Sequence, residues 1–109
     1  MASLVQVLTT IDSAEAAQAL ADALVGERLA ACVQVIGPIA STYWWKGRVA
    51  RSSEWLCVAK TTPARSAQLM ARLRVLHSYE LPEVLVTPVA EADPSYAAWV
   101  AAEVGDQPV

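Results

Sequence analysis

Most of the polar chemistry in this chain lies in one short run, His77-Ser78-Tyr79-Glu80-Leu81-Pro82-Glu83, set in a sequence that is 55% hydrophobic and only 17% charged. His77 is the single histidine. Its neutral imidazole is a donor for a transition metal, with Glu80 or Glu83 as hard oxygen partners. The plainer reading of a histidine at a helix end is a cap, bonded to the last carbonyls and facing the negative end of the helix dipole. Glu80 and Glu83 straddle Pro82 and have the types needed for an acid/base pair, against the plainer reading of two solvated carboxylates. Tyr79 reads as half-buried rather than catalytic. A serine nucleophile would have to come from Ser41, Ser52, Ser53 or Ser78 with His77 as its base, and no elbow motif flanks any of them. Cys-x-x-Cys and His-x-x-x-His spacings are absent, as is a glycine-rich phosphate loop.

Two cysteines, Cys32 and Cys57, complete the reactive set. With Trp45 opposite Arg48 in a hairpin, Cys32 falls opposite Thr61 and Cys57 opposite Ile36. That separation is too large for a disulfide, and a bulge at Gly37-Pro38 would shift it by only about a residue. Both are read as reduced thiols, with Cys57 a small buried apolar residue. The net charge of −3 and the dispersed arginines argue against a nucleic-acid surface. No apolar run reaches the roughly 18 residues of a membrane span, and Met-Ala-Ser-Leu-Val lacks a basic leader start, so a cytoplasmic location is expected.

These groups must be placed by a scaffold, and Ala31 to Thr61 organises it. β-Branched and aromatic residues fill two arms that turn at Lys46-Gly47, where Gly47 supplies a positive φ. Each arm runs to about fifteen residues, whereas strands usually stop at about five or six. Tyr43, Trp44 and Trp45 precede the turn and Trp55 lies on the return arm. Alternate strand residues point to opposite faces, so Trp44 and Trp45 cannot share one core. One of them topping the chain's own core is a plain alternative. For both together, burial against other copies of the chain is the simpler solution.

Around the hairpin, Leu4 to Leu8 suits a buried strand. Asp12 and Glu15 suggest a capping box for a helix over Ser13 to Arg28, and Pro63 to Leu76 carries helical spacing at Leu69, Leu73 and Leu76. Val84 to Val89 is a short strand, and a final helix from Pro94 carries an apolar stripe of Tyr96, Trp99 and Val100, with a frayed tail from Gly105. The order is βαββαβ plus a helix: a single α+β, ferredoxin-like domain over residues 1–109. Right-handed crossovers give an antiparallel sheet of order 4-1-3-2, its second strand at an edge. The loop from His77 then meets the end of the first strand at Thr9-Thr10, while Cys32 and Lys60 lie at the opposite end of the sheet.

Five segments carry a resemblance. They are Glu27 to Val33, Ser41 to Gly47, Trp55 to Thr61, His77 to Glu83 and Pro88-Val89. In order and spacing they resemble the CutA divalent-cation-tolerance proteins over nearly the whole chain. The resemblance implies a cytoplasmic homotrimer, similar in architecture to the PII signalling proteins, with the long hairpin building the subunit interfaces. It also implies a link to tolerance of copper and other divalent metals. Some bacterial members carry a cysteine where Thr9 stands and a histidine where Leu76 stands, and with the following histidine these form their proposed copper site. Only His77 of the three is present here, which leaves copper or another divalent cation a weakly held cofactor.

The expectation is a non-enzymatic homotrimer that binds metal, through His77, or a small ligand. The ligand cleft would lie between subunits, with Cys32 and Lys60 of one chain near Tyr79 and Glu80 of another. Tyr43, Trp44, Trp45 and Trp55 would form the trimer interface. The only partner expected is the chain itself, with neither nucleic acid nor membrane. A PII-like sensor acting through a protein partner is the alternative, and an enzyme using His77 and Glu80 is a third reading.

Overall fold

Two fourteen-residue strands, β2 (Cys32–Trp45) and β3 (Arg48–Thr61), set the dimensions of the molecule. At about 3.3 Å per residue each spans about 46 Å, which accounts for the long axis of a particle measuring 50 × 26 × 21 Å. Between them Lys46 and Gly47 both hold positive φ, 51° and 77°, the requirement of a tight two-residue hairpin turn. The remaining elements of this computed structural model, which describes residues 3–105, are β1 (Val5–Ile11), α1 (Ala14–Gly26), α2 (Pro63–Leu76), β4 (Leu85–Pro88) and α3 (Pro94–Glu103).

All strand pairs are antiparallel and the sheet order is β2-β3-β1-β4, the expected 4-1-3-2 read from its other edge. Helices α1 and α2 cover one face. Leu20, Leu24, Leu69 and Leu73 meet Val5, Val7, Ile11, Cys57 and Ala59 there in one buried cluster. A second cluster forms where α3 closes over Leu4 and Ala31. Arg72 ties the two covering helices together by a bidentate pair with Glu27, at 2.9 and 3.1 Å. The Glu27 carboxylate holds the Arg72 guanidinium still further above its usual range.

Several boundaries differ from expectation. β1 continues past Leu8 to Ile11 because Thr9 and Thr10, both β-branched, pair with Cys57 and Leu56. The N-cap of α1 is Ser13, whose hydroxyl accepts from the Ala16 N–H at 3.0 Å, rather than Asp12. The helix stops at Gly26, and Arg28 takes a left-handed φ of 59° that ends the turn. On α3 the buried residues are Ala97, Val100 and Ala101, while Tyr96 and Trp99 are exposed. Small alanines let that helix approach the core closely, and the larger rings fall on its outer side. The expected tail beyond Gly105 lies outside the described residues.

The hairpin register slips at an irregularity between Ile36 and Ile39, so Cys32 faces Lys60 and Cys57 faces Val35. Both thiols are free. Burial pushes the Cys57 thiol up from its usual value, in keeping with an unreactive core side chain. Trp55 closes over the irregularity: an added Cβ on Gly37 would overlap its indole ring. Trp55 is half-buried and also packs against the main core cluster, on the helix-covered face.

Gly37→Ala is therefore expected to cost about 1–3 kcal/mol through overpacking. Gly26→Ala, at the open end of α1 with nothing within 4 Å of the added carbon, should be neutral or stabilise by up to about 1 kcal/mol. Urea unfolding at one fixed protein concentration checks both, and a Gly37→Ala protein as stable as the parent would remove the close contact.

Candidate ligand cleft

The loop that follows α2 crosses the end of β1 and returns along the sheet face that the helices leave uncovered. His77 starts it. Its backbone N–H closes the last turn of α2 on the Leu73 carbonyl, and its ring, 8% exposed, lies beneath the loop. The Tyr79 N–H donates to Nδ1 at 3.1 Å, which makes that nitrogen an acceptor. The ring proton of the neutral imidazole therefore sits on Nε2 and is donated to the Thr10 carbonyl 2.8 Å away. Both nitrogens are spent within the protein. His77 straps the end of α2 to the end of β1, and a metal could reach either nitrogen only by displacing one of these bonds.

Tyr79 carries the connection onward. Its ring stacks obliquely on His77, centroids 4.7 Å apart, and its hydroxyl donates to Glu54 Oε2 at 2.7 Å. Burial, then the hydrogen bond to Glu54, then the nearby negative charge push the phenol well above its usual value of 10. Glu54 is only 6% exposed. On β3 it falls in phase with Leu56 and Val58, on the face turned away from the helices, and the loop is what covers it.

Beyond this string of contacts opens a cleft of about 800 Å³ between the loop and the outer half of the hairpin. Tyr79, Glu80 and Glu83 of the loop line it together with Glu54, Tyr43, Trp44 and Trp45 of the hairpin. Of the residues expected to do chemistry, Tyr79 and Glu80 thus share a site with the hairpin aromatics. Cys32 and Lys60 do not join them. They lie at the far end of the sheet, where Cys32 Sγ is 3.5 Å from the Tyr96 hydroxyl and Lys60 is bonded to Gln34 Oε1. The Cys32 contact, together with burial, holds the Tyr96 phenol up at about 12.

Sequence reasoning missed Glu54. The signal was available: an acidic residue in a strand whose in-phase neighbours are Leu56 and Val58 must be covered by something that bonds it. Among the described residues no three His, Cys, Asp or Glu side chains converge as a metal site, and the Thr9 hydroxyl is buried without a partner. Thr9, Leu76 and His77 offer no ligand set in this arrangement, since Leu76 packs on the core.

A ferredoxin-like sheet with an overlong aromatic hairpin and a cleft between that hairpin and the α2-β4 loop defines the structural class. The chain belongs to the CutA1 divalent ion tolerance protein family, whose sequence model matches residues 5–103. It is 40% identical over 99 residues to the divalent-cation tolerance protein CutA of Thermus thermophilus, covering 91% of this chain and 96% of that one. It spans about half the length of the plant and mouse relatives it matches. The crystal structure of CutA from Xylella fastidiosa superposes with a TM-score of 0.90 at 32% identity, over 93% of this chain and 97% of that one. A protein from Archaeoglobus fulgidus named as a periplasmic divalent cation tolerance protein gives 0.89 at 28% identity, over 93% and 98%.

Removing the Tyr79 hydroxyl leaves Glu54 buried without its donor, and Tyr79→Phe is expected to lower stability by about 1–3 kcal/mol. Because the folded phenol titrates above its unfolded value of 10, its contribution is complete below pH 10 and declines as pH rises through the folded pKa. Denaturant unfolding across this alkaline range should show a shallower loss in Tyr79→Phe than in the parent. Parallel slopes would mean the phenol is not held by Glu54.

Proposed function

We propose that the chain acts in divalent-cation tolerance as a homotrimeric, cytoplasmic, non-catalytic protein whose hairpin builds the subunit contacts. The observation that carries this reading is Trp44, 75% exposed on the unpaired edge strand β2. Tyr43, Trp45, Val49 and Ile36 lie exposed on the same hairpin, and a surface of that kind is an association site or a hazard. The sheet also has two different open edges, β2 and β4, which suits head-to-tail association that closes into a ring. In such a ring Cys32 and Lys60 of one protomer come to Tyr79 and Glu80 of the next and close the cleft that one chain leaves open. Two free cysteines, one of them partly exposed, suit a reducing compartment. Recovery outside the cytoplasm on cell fractionation would overturn that location.

Sedimentation equilibrium should return three chains per particle, and Trp44→Lys should shift it towards single chains. In Glu80→Cys, a bis-maleimide should link position 80 to the native Cys32 and give covalent dimers and trimers, since the two positions stand at opposite ends of one chain. A monodisperse single-chain species would overturn the reading.

Metal binding through His77 is the second reading, and the family's name favours it. The two ring hydrogen bonds compete with any metal, so this site offers weak binding of Cu(II) or another divalent cation. Calorimetric titration of the reduced protein with Cu(II) and Zn(II) should show no saturation at equimolar metal. An equal response from His77→Ala would remove His77 as a ligand.

A further inference from the structure

Two apolar groups at opposite ends of the chain lie outside the hairpin and are left uncovered. At the end of the sheet that holds Cys32 the group is a pair of rings on α3. Tyr96 and Trp99 are 39% and 43% exposed, and their ring centroids lie 5.7 Å apart. They face outward because Ala97, Val100 and Ala101 take the inner side of that helix. The pair is held in place. The Asp93 carboxylate accepts from the Tyr96 N–H at 3.1 Å, and the Tyr96 hydroxyl lies 3.5 Å from Cys32 Sγ. At the other end the group is Leu81, 73% exposed on the α2-β4 loop, which the bond from Tyr79 to Glu54 keeps in position. Fixed aromatic anchors and a projecting aliphatic side chain are the parts of an interface core, and groups already immobilised lose less freedom on meeting.

Charge matches in the same places. Cys32 stands opposite Lys60 in the hairpin, so the lysine is the cross-strand neighbour of the residue that anchors Tyr96. Lys60 is bonded to the neutral Gln34, and among the described residues neither Lys60 nor Glu80 has an ion-pair partner in its own chain. A cation beside two rings at one end answers a carboxylate beside a leucine at the other. These surfaces cannot meet within one chain, which is the condition for head-to-tail contact between copies. We propose that the Tyr96-Trp99 pair of each copy is the seat for Leu81 of the next, with Lys60 meeting Glu80 at its edge. The inference rests on the homotrimer of the proposed function and adds α3 to its contact surface. The occupant is a second copy because this chain itself carries the complementary groups, Glu80 and Leu81, side by side.

The test is sedimentation equilibrium of Trp99→Ala, Leu81→Ala and the double variant over a dilution series, with urea added until the parent begins to dissociate. Each single change should raise the concentration at which half the chains are free by about tenfold. The double variant should go no further than the weaker single one, since both remove the same contact. Lys60→Glu and Glu80→Lys should each loosen the assembly, and together recover part of the loss. Trp99 and Leu81 are exposed in the single chain, so their far-ultraviolet circular dichroism should match the parent's. A parent that forms trimers while Trp99→Ala or Leu81→Ala leaves them intact overturns the seat and gives the rings of α3 to a different protein. Additive losses in the double variant also overturn it, because the two side chains then act in separate contacts. So does the absence of any recovery in the charge-exchanged pair. A parent that is a single chain at every concentration removes the homotrimer and the seat with it, and the parent alone tells that failure apart from the others.

Discussion

The mismatch in length between strands and helices governs this molecule. A fourteen-residue strand extends about 46 Å, but helices of thirteen and fourteen residues reach only about 20 Å. α1 and α2 can therefore roof less than half of the β2-β3 hairpin. The inner half, around Cys57 and Ala59, is as buried as any core. The outer half, with Tyr43, Trp44 and Trp45, has no helix of its own chain long enough to cover it. A projecting arm of this composition and the cleft at its base are both consequences of that shortfall.

What closes the base of the arm is a string of polar contacts rather than apolar packing. The Thr10 carbonyl, the His77 ring, the Tyr79 N–H and hydroxyl, and Glu54 follow one another from the end of β1 to β3. Each member satisfies the next, which is how a histidine and a glutamate come to be buried on a small domain. The loop is held in place at both ends of this string, so Glu80 and Glu83 project from a fixed support. The same string fixes the tautomer of His77 and gives it a structural task. The residue type that invites a metal is thus occupied in joining a helix to a strand.

Belonging to a family of divalent ion tolerance proteins does not by itself supply a metal site. Where Thr9, Leu76 and His77 stand, the chain offers a hydroxyl without a partner, an apolar side chain in the core and a doubly bonded imidazole. The concentration of negative charge instead lies on the other side of the loop, in the cleft shared with the indoles. The clustered carboxylates of this fold therefore belong to the uncovered face of the sheet and the apolar core to the helix-covered face.

Much of the fold was legible in the residues. Hydrophobic period, Pro63 and the Lys46-Gly47 turn located α2 and the hairpin, because these signals act over a few residues, and crossover handedness then fixed the strand order. Legibility failed where distant parts of the chain decide. The rings of α3 fell outward because the closeness of its packing, not its hydrophobicity, chose the alanine face. The one-place shift in register at Cys32 and Cys57 is the size expected of a bulge at Gly37-Pro38, but that the bulge forms is decided across the hairpin, where Trp55 closes over Gly37. Glu54 stands out in sequence only as an acid in phase with Leu56 and Val58, and what covers it, a tyrosine 25 positions later, is set by the tertiary fold. Sequence determined which segments are strands and helices, through local preference. Tertiary structure alone decided which side chains meet, because burial and hydrogen bonding are settled only when separate segments come together.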